Sequence, residues 1–252
     1  MSFHFVLPSN TSPDVFPNNT ASSYSTPIHN LISLGGSWEV ALTSATFSTC
    51  INTFHNDIIA LEERIDKEVR LSHVTLKPHN FQKMDDAISY INKCIGDKPL
   101  YLSLDRRNHA ILKITRENMT VNFGNTLRDI FGFTKNIYSG IGEYKAKGEF
   151  SLTRCIDYLY IYSNISDYVR IGNIKAPLLG VVSFESGKEC DKLKENRFNN
   201  PTYVSVIQNN ISQIDIGIFD GGGELIPFSD GATTVLRLHF RYSLSNEDKT
   251  AS

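Results

Sequence analysis

Apolar residues alternate with polar or small ones along most of the chain, and that period of two predicts strands. Phe3, Phe5 and Leu7 form a short opening strand that stops at Pro8. Asn10 to Thr26 is rich in Ser, Thr, Asn and Pro, so it reads as an extended arm or long loop. After the turn signal Gly35-Gly36, the residues Trp38, Val40 and Leu42 alternate with Glu39, Ala41 and Thr43 in a strand from Trp38 to Phe47. Asp57 to Arg64 fits both periods: Ile58, Leu61 and Ile65 share a helical face. Its β-rich composition and that of Val69 to Leu76 weigh towards two strands.

The period changes once, clearly. Met84, Ile88, Ile91 and Ile95 fall on one face of a helix from about Phe81 to Ile95. Asp85 and Asp86 suit the dipole of its first turn, and Gly96 and Pro99 end it. A shorter helix is predicted over Asn125 to Phe131, stopped by Gly132. Between the helices, Leu100 to Leu104, Ala110 to Thr115 and Met119 to Phe123 read as one small sheet, with Asp105 to Asn108 a turn.

The second half returns to strands: the ladder Tyr158, Tyr160, Tyr162, then Ala176 to Phe184, Val204 to Ile207, Ile211 to Phe219 and Thr233 to Tyr242. Asp220-Gly221-Gly222-Gly223 is a turn needing positive φ. Eight or more short strands with long polar connections predict an all-β fold, a β-sandwich or jelly roll with a small helix-containing α/β insertion. The expected organisation is a strand and arm over 1–26, a jelly-roll domain over 27–245 with the insertion at about 77–133, and a disordered tail over 246–252.

Composition narrows the function classes. The 252 residues are 40% hydrophobic and 21% charged, which suits an ordinary globular chain with a real core. A net charge of −2 argues against a protein built to coat nucleic acid, so no specific nucleic-acid partner is expected. No stretch approaches the ~18 apolar residues of a membrane span. The first residues lack a basic segment followed by an apolar one, so synthesis in the cytosol without a secretory signal is expected. Cys50, Cys94, Cys155 and Cys190 lie far apart with no Cys-x-x-Cys pair, and free buried thiols are expected. Sequons such as Asn118-Met119-Thr120 read as chance matches.

Candidate chemistry is sparse. Gly140-Ile141-Gly142 is followed by Lys145 where a dinucleotide fingerprint needs a third glycine, and Asp220 to Gly223 lacks the Gly-Lys-Ser/Thr of a phosphate loop. His73 and His79 lie outside any metal-ligand spacing. Glu62-Glu63 and Asp85-Asp86 are adjacent and so point to different faces. Arg106-Arg107 reads as two exposed arginines. The three tyrosines suit cross-strand packing more than a contact surface. No catalytic, cofactor or metal residue is assigned, and the chain is not expected to be an enzyme.

Two stretches resemble a known family. One runs from Phe5-Val6-Leu7-Pro8-Ser9-Asn10-Thr11-Ser12 through Phe16-Pro17-Asn18-Asn19-Thr20 to Gly36-Ser37-Trp38-Glu39-Val40-Ala41-Leu42. The other runs from Ile214-Asp215-Ile216-Gly217-Ile218 through the glycine turn to Ile226-Pro227-Phe228-Ser229-Asp230-Gly231, and ends at Leu238-His239-Phe240-Arg241. With weaker matches at His73 to Leu76, at Leu127 to Phe133 and at Ala176-Pro177-Leu178-Leu179, this ordered series resembles the minor capsid (penton) proteins of Polinton/Maverick elements, adintoviruses and virophage-like relatives. Gly180 departs from that pattern, because relatives often carry arginine there.

The resemblance implies a structural virion protein whose protomer is a single jelly-roll β-sandwich. Five copies, a homopentamer, would ring each vertex of an icosahedral shell, beside a double jelly-roll major capsid protein and with a vertex fibre as a further candidate partner. Its motif residues, as assembly candidates, are Pro17, Asn18, Asn19, Trp38, Asp220, Gly222, Pro227, Phe228, Gly231, His239 and Arg241. The polar, extended arm would order on a neighbouring subunit or under the shell, so deleting residues 1–26 is expected to block vertex incorporation while leaving the sandwich folded. The alternative is a trimeric spike or attachment jelly roll that binds a receptor or glycan; an enzyme would need carboxylates about 5–9.5 Å apart in a cleft.

Overall fold

The computed structural model describes residues 1–11, 13–66, 68–154, 156–185 and 193–243. The expected tail at 246–252 lies outside them, as do Ser12, Cys155 and Cys190. The chain divides into two compact units, Met1–Cys50 with Ile156–Ser252, and Ile51–Cys155.

The first unit opens with β1 (Ser2–Pro8), β2 (Ser23–Ser33) and β3 (Trp38–Ser48). The second holds β4 (Asp57–Ile65), β5 (Glu68–Leu76), α1 (Met84–Ile95), β6 (Leu100–Leu104), β7 (Ala110–Ile114), β8 (Met119–Asn122), α2 (Gly124–Phe131), β9 (Ile137–Ser139) and β10 (Gly142–Lys145). The chain then returns to the first unit with β11 (Tyr158–Ser163), β12 (Val169–Ile171), β13 (Ile174–Ala176), β14 (Leu178–Ser183), β15 (Leu193–Arg197), β16 (Val204–Ser205), β17 (Asn210–Phe219) and β18 (Val235–Tyr242).

Strand order identifies the fold of the first unit. One sheet runs β1-β18-β3-β15, with β16 also on β3, and the other runs β14-β11-β17-β2. Every pairing is antiparallel. Letter the eight main strands B to I in chain order, leaving out the β12–β13 ribbon and the short β16. The sheets then read B-I-D-G and C-H-E-F, which is the jelly roll. Alternation decides which side chains meet between them: Val40, Leu42, Leu238 and Phe240 from one sheet, Leu159, Ile161, Ile214 and Ile218 from the other, all buried. Phe47 on β3 packs against Phe184 just after β14, ring centroids 5.8 Å apart. The Tyr24 hydroxyl crosses from β2 to donate to the Leu7 carbonyl at 3.1 Å, and burial pushes its pKa up.

The N-terminal arm is part of this sandwich. Ser23 to Thr26, expected in a loop, pair with Gly217 to Ile214 as the start of β2. Pro27 sits inside the same strand, tolerated because β2 is an edge and a bulge falls at Gln213. β1 likewise forms a full ladder with β18 and buries Leu7. Deleting residues 1–26 therefore removes one strand and cuts into another, which corrects the expectation that the sandwich stands without them. The other thiol expectation also changes: Cys50 is disulfide-bonded, while Cys94 is free.

The second unit is inserted between strands D and E, the third and fourth of the jelly roll: it follows β3 and precedes β11. It is wider than 77–133, because β4 pairs with β8 and so belongs here with β5. Its sheets run β5-β4-β8-β9 and β10-β7-β6. The expected single sheet of β6, β7 and β8 is thus split; strand pattern marks β8 but does not name its partner. α1 packs on β5 and β6, and α2 on β4. Phe123 stacks on Phe133 at 5.3 Å and Phe131 on Phe150 at 5.7 Å. α1 begins at Met84, three residues later than expected. Phe81 instead packs its ring on Phe54, His79 and Tyr90. Gly132 closes α2 with φ 73°, and any Cβ there would run into the Gly148 carbonyl.

Candidate functional site

The motif residues fall into three local structures, all in the sandwich. The first is the arm. Pro17 and Asn18 are exposed at a turn. Asn19 is the working residue: its amide donates to the Ser25 carbonyl and accepts from the Ser25 N–H, both at 2.9 Å. It therefore acts as a strand residue would, and pins the arm to β2 of its own chain. Thr20 adds a bond from the Ser23 N–H to its hydroxyl at 3.0 Å.

The second is the connection from β17 to β18. Asp220 Oδ1 accepts from the N–H groups of Gly222 and Glu224 at 2.8 and 2.9 Å, an Asx turn that needs the exposed backbone of Gly222 close by. Only Gly223 in this turn takes positive φ, at 84°. Pro227 and Phe228 are buried, Phe228 beside Phe47, and Gly231 turns the chain at φ 78°. These residues set the path of the last strand.

The third is one end of the β1-β18-β3 sheet. Trp38 is 7% exposed and donates from Nε1 to the Gly35 carbonyl at 3.0 Å. Its ring lies 5.4 Å from Phe3, which stacks on Phe240 at 4.8 Å. On the opposite, outward side of the same strands stand His239 and Arg241. His239 stacks on His4 with centroids 4.4 Å apart, and its Nδ1 is 2.7 Å from the Tyr203 hydroxyl. Arg241 lies 3.5 Å over the Tyr203 ring and binds Glu39 at 2.8 Å. Burial first, then His4 and Arg241, hold the His239 pKa below the ordinary histidine value. Sequence reasoning named His239 and Arg241 but missed His4 and Tyr203. The signal for His4 was its place in the Phe3-His4-Phe5 alternation, which turns it outward.

The outward side of the other sheet is aromatic. Tyr158 is 54% exposed, with Tyr160 and Tyr162 half-buried beside it. Tyr162 meets Phe219 edge to face at 5.5 Å. Leu159 and Ile161 between them are fully buried. The ladder thus packs across strands and also faces solvent.

Catalytic geometry is a separate matter. Among the described residues no group of three or more His, Cys, Asp or Glu side chains is placed to hold a metal ion. Glu62 pairs with Arg64, Glu63 with Arg116, and Asp57 with Arg154. Asp105 caps the β6–β7 turn and is held well below the usual carboxylate pKa, by Lys145 above all and by the His109 N–H. In the second unit a groove of about 420 Å³ crosses the outer face of the β5-β4-β8-β9 sheet, lined by Ala60, Glu62, Leu71, His73, Asn122 and Ile137. Gly140 and Gly142 belong to the β9–β10 turn. Among the described residues no helix is long and apolar enough to cross a membrane.

No protein-family model matches the chain, and no curated protein matches it by sequence. Among solved structures, the mavirus penton protein is similar at a TM-score of 0.46 and 13% identity, covering 96% of this chain and 100% of that one. The D1-D2-D3 domains of the flagellar cap protein FliD from Escherichia coli follow at 0.24 and 12%, covering 99% of this chain and 58% of that one. At those levels neither likeness carries weight, and the fold rests on strand order and register.

Proposed function

We propose that this chain is a structural, non-enzymatic capsid protein that forms the fivefold vertex of an icosahedral shell. The observation that carries the proposal is the B-I-D-G/C-H-E-F strand order, taken with the ordered motifs that run through it. A jelly roll alone serves lectins and other proteins as well as capsids. The motifs select among these, and they lie where they shape the chain: Asn19 on β2, Trp38 at the start of β3, and Asp220 to Gly231 on the path into β18.

Assembly is the mechanism. A sandwich is a stiff wedge with four edge strands, here β1, β15, β2 and β14. A ring of five needs heterologous contacts, one patch against a different one on the next copy. A specific contact of this kind buries roughly 1,000 Å² or more. Within this reading the chain sits in the virion beside a double jelly-roll major capsid protein, with a fibre as a candidate partner at the vertex. The arm is not needed as a swapped element, since Asn19 ties it to its own subunit.

One observation favours a second reading. The outward tyrosines, led by Tyr158, would suit the receptor- or glycan-binding face of a trimeric attachment protein. Light scattering of the purified protein, with negative-stain class averages, separates the two. One chain is 28.3 kDa. Five chain masses and a fivefold ring support the vertex. Three chain masses overturn it in favour of the attachment protein. A monomer moves the decision to co-assembly with the major capsid protein, where failure to occupy vertices sinks the proposal.

A further inference from the structure

The outward face of the β1-β18-β3-β15 sheet concentrates titratable groups around one edge strand. β1 is held in the sheet by β18 alone. His4 and His239 are direct cross-strand partners in the middle of that ladder, and their rings stack at 4.4 Å with 27° between planes. Every neighbouring element adds charge to this face. β18 contributes Arg237 and Arg241, β3 contributes Glu39, and β15 contributes Glu195 and Arg197. Tyr203 comes from the segment before β16. Glu39 is engaged by Arg241 at 2.8 Å and Glu195 by Arg197 at 2.9 Å. Among the described residues the two carboxylates of the face are therefore already committed to arginines, and the histidine pair engages neither.

We propose that the stacked His4–His239 pair is an acid-sensitive clasp on the N-terminal strand: with both rings neutral it fastens β1 to β18, and with protons on both it lets β1 loosen from the sheet. Two imidazolium rings in stacking contact repel, and Arg241 two residues along adds to that repulsion. The bond between the Tyr203 hydroxyl and His239 Nδ1 can run in either direction, according to the tautomer, and with a protonated ring the hydroxyl accepts. That bond does not oppose protonation, so the opposition comes from the charges and from burial. The inference does not depend on the vertex role.

The sign follows from the linkage between proton binding and folding. His239 is held below its ordinary value in the clasped state. The loosened state takes up the proton at about 6.5, the ordinary histidine value. The clasp is at full strength above that pH and weakens as pH falls through it. Arg197 beside Glu195 holds that carboxyl below its ordinary value, and Glu39 is bound to Arg241, so the carboxylates of the face do not cancel the effect.

Hydrogen exchange of the full chain at pH 7.5 and pH 5.5, corrected for intrinsic rates, tests this. Peptides covering Ser2–Pro8 should exchange several-fold faster at the lower pH, in the direction set by the lowered His239 pKa. Peptides covering β14, an edge strand without histidine, should not change. His4→Gln keeps a polar side chain at an exposed position but removes one proton site and its repulsion, and should reduce the acid effect to the part that burial and Arg241 impose on His239. A full acid effect in His4→Gln, or no difference between the two pH values in the unsubstituted chain, overturns the clasp. Ring-proton titration by NMR gives an independent reading: the clasp requires His4 and His239 to titrate as a coupled pair, and two independent ordinary titrations also overturn it.

Discussion

The two sheets of the sandwich share one core and differ outside it. The β1-β18-β3-β15 sheet turns histidines, arginines and glutamates to solvent, with Tyr203 laid among them. The β14-β11-β17-β2 sheet turns out Tyr158, Tyr160, Tyr162 and Phe219. Inside, the contrast is also clear. The first sheet ends in an aromatic cluster of Phe3, Trp38 and Phe240, and the second is a ladder of Ile and Leu around Ile161 and Ile218. Two outward faces of such different chemistry answer to different conditions: the first to pH, the second to contact with an apolar or aromatic partner. A symmetric use of both faces is therefore not expected.

The largest effect should come from the aromatic end. Trp38→Ala removes a buried ring packed on Phe3 and Tyr242 and the Nε1 bond to Gly35. The expected loss is about 3–5 kcal/mol, read as a shift in denaturant midpoint with unchanged slope. A loss below about 1 kcal/mol would mean that the end of this sheet repacks freely, and the contrast between the two interiors would fail.

Next comes Gly180, where the family pattern often has arginine. Gly180 faces inward on β14, opposite Ile161, and a Cβ there would meet Leu42 Cδ2 of the facing sheet at 3.1 Å. Leu42 must give way, and Gly180→Arg also brings a charge towards the core. The expected cost of overpacking is about 1–3 kcal/mol. A neutral result in the same denaturation experiment would show that the sheets can part locally at this point.

These two positions also mark what the sequence made legible. Trp38 stands in a clean period-two run beside a turn, and its strand is where that pattern puts it. α1 follows from its four apolar residues at helical spacing for the same reason. Two of the four edge strands were hidden. β2 carries Pro27, His29 and Asn30, and β15 reads Leu-Lys-Glu-Asn-Arg, so neither shows a continuous apolar face. An edge strand is half solvated and does not need one. The partner of β8 was hidden differently, because pairing across long stretches of chain depends on packing that alternation does not encode. Of the histidine cluster, His239 and Arg241 were reachable through their motif. His4 and Tyr203 join them only when the 203–242 segment and the N-terminus fold onto the same face.

A smaller effect is expected at the arm, on the side of the aromatic sheet. Asn19→Ala removes the paired bonds to Ser25. Each net hydrogen bond contributes about 0.5–1.5 kcal/mol, so the loss should be about 1–2 kcal/mol, with faster exchange at Ser23 to Thr26. Asn19→Asp keeps an acceptor for the Ser25 N–H and should recover part of it. If Asn19→Ala leaves stability unchanged but blocks ring formation, the arm serves a neighbouring subunit after all, and its role returns to the assembly interface.

The smallest effect on stability, and the sharpest test of the two faces, is at Tyr158. Its ring is 54% exposed, and its neighbour Leu159 makes the core contact. Tyr158→Ser should change stability by no more than about 0.5 kcal/mol. If the aromatic face is where copies or partners meet, the same substitution should lower the oligomer mass seen by light scattering at fixed concentration. His4→Gln on the other face should leave that mass unchanged at neutral pH while altering the response to acid. Should Tyr158→Ser assemble normally and His4→Gln disperse the oligomer, the assignments of the two faces are reversed: the titratable sheet is the contact surface, and the tyrosines serve only to pack across strands.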